Sequence, residues 1–220
     1  MKFNEEIALK TSEFLLQIKA IKLNNTLPFT WASGRKSPIY CDNRVTLSFP
    51  KIRTFMRQQF VEMISEEFGE VELIAGVATG GIAQGALVAQ ELGLPFAYVR
   101  SEEKKHGMTN MIEGVVSNGQ SVVIVEDLVS TGKSSLNAVK ALQDAGCNVK
   151  GMVAIFSYGL KVAEDAFKTA QIPLVTLTDY NTLIKVAVDK EYIKSDDLMS
   201  LNEWRENPEL WSENKIKAGF

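Results

Sequence analysis

The sequence predicts an α/β protein, a central parallel sheet flanked by helices on both faces with a small hood near the N-terminus. From Val71 onward, short and almost continuously apolar runs alternate with longer segments whose apolar residues recur at helical spacing. This is the pattern of strands buried on both faces and joined by crossover helices. Of the 220 residues, 45% are hydrophobic and 23% charged, enough apolar mass for a sizeable core and no bias toward disorder. Residues 21–44 depart from both periods. They form short β-prone pieces broken by LPFTWASGRKSP, too small a segment for a separate domain.

Taken in order, residues 4–20 place Ile7, Ala8, Phe14, Leu15 and Ile18 on one helical face, a docking helix. The hood follows, with Gly34 and Pro38 suited to a turn between two strands. A helix then runs from Pro50 to about Phe68. Strands are expected in VELIAGV, PFAYVR, SVVIVEDL, VKGMVAIFSY and PLVTLTDY. Helices are expected in IAQGALVAQEL, SLNAVKALQDAG and VAEDAFKTA. The tail from Asp196 reads as a terminal helix and an aromatic-studded extension, with Trp204 and Trp211 assigned to core packing. The expected organisation is one domain over 1–220, with a hood at about 21–45, a ligand-binding core at about 50–180 and a C-terminal helix and tail at about 181–220.

With 24 Lys+Arg against 27 Asp+Glu the net charge is -3, without the basic excess of a protein whose main partner is nucleic acid. The first residues, MKFNEEIALK, lack the apolar stretch of a secretory signal, and no run approaches the roughly 18 apolar residues of a membrane span. A cytoplasmic protein without membrane or nucleic-acid partners is expected. Cys41 and Cys147 lack metal-ligand spacing and read as reduced thiols.

In open parallel sheets ligands sit beyond the carboxyl ends of the strands, which directs attention to the loops after Val77, Arg100 and Val125. The last of these begins with Glu126-Asp127 and continues Leu128-Val129-Ser130-Thr131-Gly132-Lys133-Ser134-Ser135 into a helix. Adjacent carboxylates leaving a buried strand are costly unless a cation or hydroxyls meet them, and a small-residue loop opening a helix turns free N–H groups toward an anion. A phosphorylated sugar satisfies both. Gly132-Lys133-Ser134 is not a P-loop, because the glycine required five positions before Gly132 is Asp127. Nor is Gly76-Val77-Ala78 a dinucleotide fingerprint, lacking its second glycine. The segment RSEEKKHGMTNMIEG, from Arg100 to Gly114, carries the only histidine of the chain, His106, among charged neighbours that cannot pack, and is expected to act as a lid.

VVIVEDLVSTGKSS resembles the signature with which type I phosphoribosyltransferases bind 5-phosphoribosyl-1-diphosphate (PRPP). With the hood FTWASGRKSPIYCDNR, the loop GVATGG and the lid, the resemblance narrows to the orotate phosphoribosyltransferase family and spans the chain to about Trp204. It implies the type I phosphoribosyltransferase fold and transfer of the phosphoribosyl group to orotate, giving orotidine 5'-monophosphate and pyrophosphate in pyrimidine synthesis. By the resemblance, Glu126 and Asp127 hold the ribose hydroxyls and offset positive charge at the anomeric carbon, and Leu128, Val129, Ser130, Thr131, Gly132, Lys133 and Ser134 complete the PRPP site. Arg100, Lys104 and His106 meet the pyrophosphate, so that Lys104, His106, Glu126 and Asp127 are the catalytic set. The turn around 78–81 resembles the family's pyrophosphate loop. Orotate falls to Ser130 and the hood, with Lys36 and Arg44 as its cations. Mg2+ is the implied cofactor, bound mainly through PRPP, with Asp127 its one candidate protein ligand. A homodimer sharing its lid across the interface is implied as well.

Enterobacterial relatives carry lysines where this chain has Ala32, Gly80 and Ser101, and an arginine near Tyr158 or Gly159. The rival readings are a phosphoribosyltransferase for another base and a PRPP-fold regulator that senses nucleotides and binds RNA.

Overall fold

The structure, a computed structural model, describes residues 4–31, 33–100 and 111–220. It opens with α1 (Glu5–Gln17), whose first N–H groups are met by the Asn4 side chain, which accepts from Glu6 and Ile7. Four short strands form the hood: β1 (Ile21–Leu23), β2 (Phe29–Thr30), β3 (Lys36–Ser37) and β4 (Ile39–Cys41). They pair β1 with β4 and β2 with β3, both antiparallel. A 3-10 helix (Asn43–Ser48) leads into α2 (Pro50–Phe68), with proline in its first turn, where no N–H is needed.

The remaining elements are β5 (Leu73–Val77), α3 (Gly80–Leu92), β6 (Phe96–Val99), β7 (Ile112–Glu113), β8 (Ser121–Val129), α4 (Lys133–Asp144), β9 (Asn148–Ser157), α5 (Lys161–Ala170), β10 (Leu174–Asp179), α6 (Tyr180–Asp189), a 3-10 turn (Ser195–Asp197), α7 (Leu198–Glu206) and α8 (Pro208–Lys217). The six-stranded sheet runs β10-β9-β8-β5-β6-β7 and is parallel except for β7, which pairs antiparallel with β6. Side chains alternate between its faces. Ile74, Val123 and Val125 join a core with α1, α2, α3, α6 and the C-terminal helices, whereas Leu73, Ala75, Val122 and Ile124 join a second core with α4 and α5. Both faces are covered, which is why the strands read as unbroken apolar runs.

One detail departs from the sequence reading. The extension after Trp204 is a helix, α8, started by Asn207, whose side chain accepts from the Leu210 N–H, and by Pro208 behind it. The strand expected in SVVIVEDL is β8, which runs through the acidic pair to Val129. Trp204 and Trp211 are buried as expected. Trp204 lies at the centre of an aromatic cluster that joins Trp31 of the hood to Tyr158 after β9 and Tyr180 of α6, with ring centroids 5.4–5.9 Å apart.

Candidate active site

The chain builds outward from β5 in both directions, toward β6 on one side and β8 on the other, so the loops after β5 and β8 diverge at the boundary between them. The acidic pair sits at this boundary. Strand β5 pairs with β8 only as far as Gly76 opposite Val125, while β9 stays paired with β8 to Val129 opposite Ser157. Glu126 and Asp127 therefore project where β8 has lost one neighbour and kept the other.

Glu126 is 4% exposed. Its Oε1 accepts from the Asp127 N–H at 3.0 Å and its Oε2 from the Ser135 hydroxyl at 3.1 Å. Burial first, and then the negative charge of Asp127, push the Glu126 carboxyl well above the usual range. Asp127 is also raised, by burial, although Glu126 and the Arg44 guanidinium pull it back toward ionisation. The pair thus holds an excess of negative charge that a polyhydroxyl ligand or a cation would relieve.

Two glycines bring the turn after β5 against these carboxylates. A Cβ on Gly80 would overlap the Asp127 carboxylate, and one on Gly81 would overlap the Val125 carbonyl, so only backbone fits between α3 and β8. The Ala78–Thr79 peptide in this turn is cis. Beyond β8, Gly132 takes φ +78° and precedes α4, whose N-terminus has no side-chain cap; Thr131, Lys133 and Ser134 are exposed around it and Ser130 is half-buried. Free first-turn N–H groups beside small hydroxyl residues form a ready phosphate cradle.

From the hood, Asn43 reaches across and donates from Nδ2 to the Asp127 carbonyl at 2.6 Å. Arg44 grips Asp42 through Nε at 2.7 Å and NH2 at 3.0 Å, drawing the Asp42 carboxyl below its ordinary range. The Cys41 thiol donates to Asn43 Oδ1 at 3.3 Å. It is pushed up by burial and by the charges of Asp127 and Asp42, which keeps it a thiol.

A model of the phosphoribosyl transferase domain matches residues 51–183. Over 204 residues the chain is 56% identical to an orotate phosphoribosyltransferase of Bacteroides fragilis, spanning 93% of this chain and 96% of that one. It is 52% identical over 205 residues to one from Listeria innocua, spanning 93% and 98%. The crystal structure of orotate phosphoribosyltransferase from Aeropyrum pernix superposes with a TM-score of 0.72 at 26% identity, covering 83% of this chain and 99% of that one. The chain belongs to the orotate phosphoribosyltransferase family.

Within this type I phosphoribosyltransferase fold, the structure brings together Glu126, Asp127, Leu128, Val129 and the loop from Ser130 to Ser134, with Arg44 close enough to act on Asp127. Arg100 lies at the end of β6, its N–H bonded to the Met111 carbonyl at 2.8 Å and its guanidinium 3.7 Å from Glu113. Lys36 is not drawn to the carboxylates. Its Nζ donates to Thr30 Oγ1 across the β2–β3 hairpin, and its N–H to Ser212 of α8. Lys104 and His106 fall outside the described residues, as do Ala32 and Ser101.

Three residues escape sequence reasoning. Asn43 and Ser135 hold the acidic pair from opposite sides. Arg205 of α7 donates to the carbonyls of Tyr158 at 3.3 Å and Gly159 at 3.1 Å, bringing a guanidinium from a distant helix to the loop after β9. Arg205 also lines a cavity of about 190 Å³ with Ser157, Thr176, Asp179 and Tyr180, beside the strand ends and away from the acidic pair.

Among the described residues no group of three or more His, Cys, Asp or Glu could hold a metal ion. Two adjacent carboxylates are hard oxygen donors that suit a hard cation whose other ligands come from substrate and water, so the donor set fits Mg2+ held mainly by the donor substrate.

Proposed function

We propose that this chain transfers the 5-phosphoribosyl group from PRPP to orotate, releasing pyrophosphate and orotidine 5'-monophosphate for pyrimidine synthesis. The observation that carries the reading is the acidic pair beside an uncapped helix N-terminus at the sheet boundary, in a chain 56% identical to an orotate phosphoribosyltransferase over 93% of its length.

Glu126 and Asp127 take the ribose hydroxyls, and their charge offsets the positive charge that develops at the anomeric carbon in an oxocarbenium-like transition state. Burial, more complete at Glu126, raises both carboxyls, while the Arg44 guanidinium pulls Asp127 back toward ionisation. The first-turn amides of α4, with Ser130, Thr131, Gly132, Lys133 and Ser134, hold the 5'-phosphate. The turn at 78–81 presents backbone to the diphosphate, held close beside Asp127 because Gly80 and Gly81 carry no side chain toward β8. Arg100, Lys104 and His106 neutralise the departing pyrophosphate, and closure of their segment excludes water. Ser130 meets orotate, with Arg44 and Lys36 as the hood's cations. Bound mainly through PRPP, with Asp127 as its candidate protein ligand, Mg2+ would supply neutralisation of diphosphate charge.

The proposed organisation remains one domain, acting as a cytoplasmic homodimer whose lid reaches the neighbouring subunit. No helix among the described residues is long and apolar enough to cross a membrane. The deciding assay follows orotate absorbance after adding PRPP and Mg2+. Loss of absorbance that requires all three supports the reading, and turnover of a purine or another pyrimidine in its place overturns the choice of base. Two inactive variants, Lys104→Ala and Asp127→Asn, are expected to regain part of the activity when mixed. A monomer by light scattering, or no regain on mixing, removes the shared lid.

A further inference from the structure

We propose that Asn43, Thr46 and Gln84 form a buried positioning relay that sets the backbone carrying the acidic pair, fixing Asp127 relative to the hood and to the helix after the pyrophosphate turn. The proposal deepens the phosphoribosyl-transfer reading and rests on it.

The three side chains are polar, come from separate elements and are each no more than 1% exposed. Gln84 of α3 donates from Nε2 to Thr46 Oγ1 at 3.3 Å. The Thr46 hydroxyl donates to the Asn43 carbonyl at 2.6 Å, and Asn43 Nδ2 donates to the Asp127 carbonyl at 2.6 Å. Every bond runs in the same sense, toward β8. A fourth donor, the Cys41 thiol, fixes the Asn43 amide from its other side through Oδ1, so the amide cannot flip without losing both contacts.

Polar groups buried at this depth cost free energy unless they are satisfied, and Gln84 Oε1 has no partner among the described residues. A purely structural core would place apolar residues here. The relay instead ends on the main chain of Asp127, at the point where β8 has lost β5 and no strand remains on that side to hold the peptide. The Asn43 amide supplies the hydrogen bond that a neighbouring strand would otherwise make. Its far end is anchored on α3, within one turn of Gly80 and Gly81, so the relay also fixes the spacing between the acidic pair and the backbone facing the diphosphate. A displacement of about 1 Å at such a site costs on the order of a hundredfold in rate. None of the three touches substrate in this account; they act through Asp127.

The test uses the full-length protein with four variants: Asn43→Ala, Thr46→Val, Thr46→Ser and the double variant of the first two. Steady-state kinetics with orotate and PRPP are measured alongside thermal unfolding, and PRPP affinity is followed separately by titration calorimetry. Expected for Asn43→Ala is a fall of roughly 10- to 100-fold in kcat/KM for PRPP, with the KM for orotate moving far less. Thr46→Val, which keeps the volume and removes the hydroxyl, moves in the same direction by a smaller factor, and Thr46→Ser restores the wild-type value. The double variant is no worse than Asn43→Ala alone, as for parts acting as one unit. Lower melting temperatures with unchanged kinetics of the folded enzyme, or effects that simply multiply, overturn the relay. Should Asn43→Ala not fold, the comparison of Thr46→Val with Thr46→Ser decides. Wild-type inactivity on orotate would count against the functional reading, while the calorimetric comparison of PRPP binding would still decide the relay.

Discussion

Replacing Glu126 by Gln should make the ligand-free protein more stable and a poorer catalyst, and the gain should grow with pH in a defined window. The substitution keeps shape and contacts. One amide oxygen can still accept from the Asp127 N–H, and the amide nitrogen can donate to the Ser135 hydroxyl, which serves as acceptor as readily as donor. What changes is charge. Because burial and the neighbouring Asp127 raise the Glu126 carboxyl above its ordinary 4.5, the folded chain binds this proton more tightly than the unfolded chain does. Stability from this group is therefore fully present below 4.5 and declines as pH rises, until the folded carboxyl itself ionises. The decline cannot exceed about 1.4 kcal/mol per pH unit, so at pH 7, about 2.5 units above 4.5, the penalty is at most roughly 3 kcal/mol. Gln carries no such penalty. For a chain of this size each kcal/mol shifts Tm by roughly 2–4 °C. Urea unfolding of both proteins from pH 4.5 to 8 should show nearly equal stability at the acid end and a widening advantage for the variant above it, while kcat falls. A stability difference independent of pH, or a less stable variant at pH 7.5, would show that the Glu126 proton is not held in the fold and refute the argument.

Gly81→Ala sets a methyl against the Val125 carbonyl, which as backbone in a central strand cannot yield cheaply, and should cost about 1–3 kcal/mol by urea midpoint along with weaker PRPP binding. Unchanged stability would mean that α3 is free to move off β8. Arg205→Met retains the packing of the side chain but gives up its bonds to the Tyr158 and Gly159 carbonyls; about 1–3 kcal/mol should be lost, read as a lower Tm. A Tm within a degree of wild type would assign those carbonyls other partners.

How far the site was legible follows the sequence distance between its parts. Glu126 to Ser134 form one contiguous run in which strand, carboxylates, small loop and helix start are neighbours in the chain, so the chemistry shows in the order of residues. The helices around the sheet show in their periods. By contrast, Asn43 meets Asp127 across 84 residues and Arg205 meets Gly159 across 46, and a single polar side chain leaves no period from which such a contact could be read. Ser135 looks like any first-turn serine until the fold turns it toward Glu126. The strand SVVIVEDL keeps its form through the acidic pair although charged residues break the apolar run, because β9 keeps supplying hydrogen bonds on one side. For α8 the signal was present in Asn207-Pro208, a cap followed by a first-turn proline, but few of its side chains are buried and its amphipathic pattern is weak.

The matched phosphoribosyl transferase region, residues 51–183, leaves out both ends of the chain, and in the structure those ends meet. Trp31 of the hood lies against Trp204 of α7, and Arg35 pairs with Glu209. The Lys36 N–H is held by Ser212, and Lys215 donates to the Asn25 carbonyl at 3.1 Å. The ion pair is exposed and contributes little by itself, but the buried aromatic contact and the hydrogen bonds to hood backbone give the β2–β3 hairpin a fixed seat that two paired residues per strand could not provide alone. A hood seated in this way is a separable part. In the proposed assignment, the acidic pair and the phosphate-binding loop belong to the common core and depend on β8, whereas the hood assigned to the base depends on contacts contributed by the last 25 residues. Substitutions in α7 and α8 should therefore act on the acceptor base before they act on the ribosyl donor, although neither helix lies beside the reacting carbon in sequence.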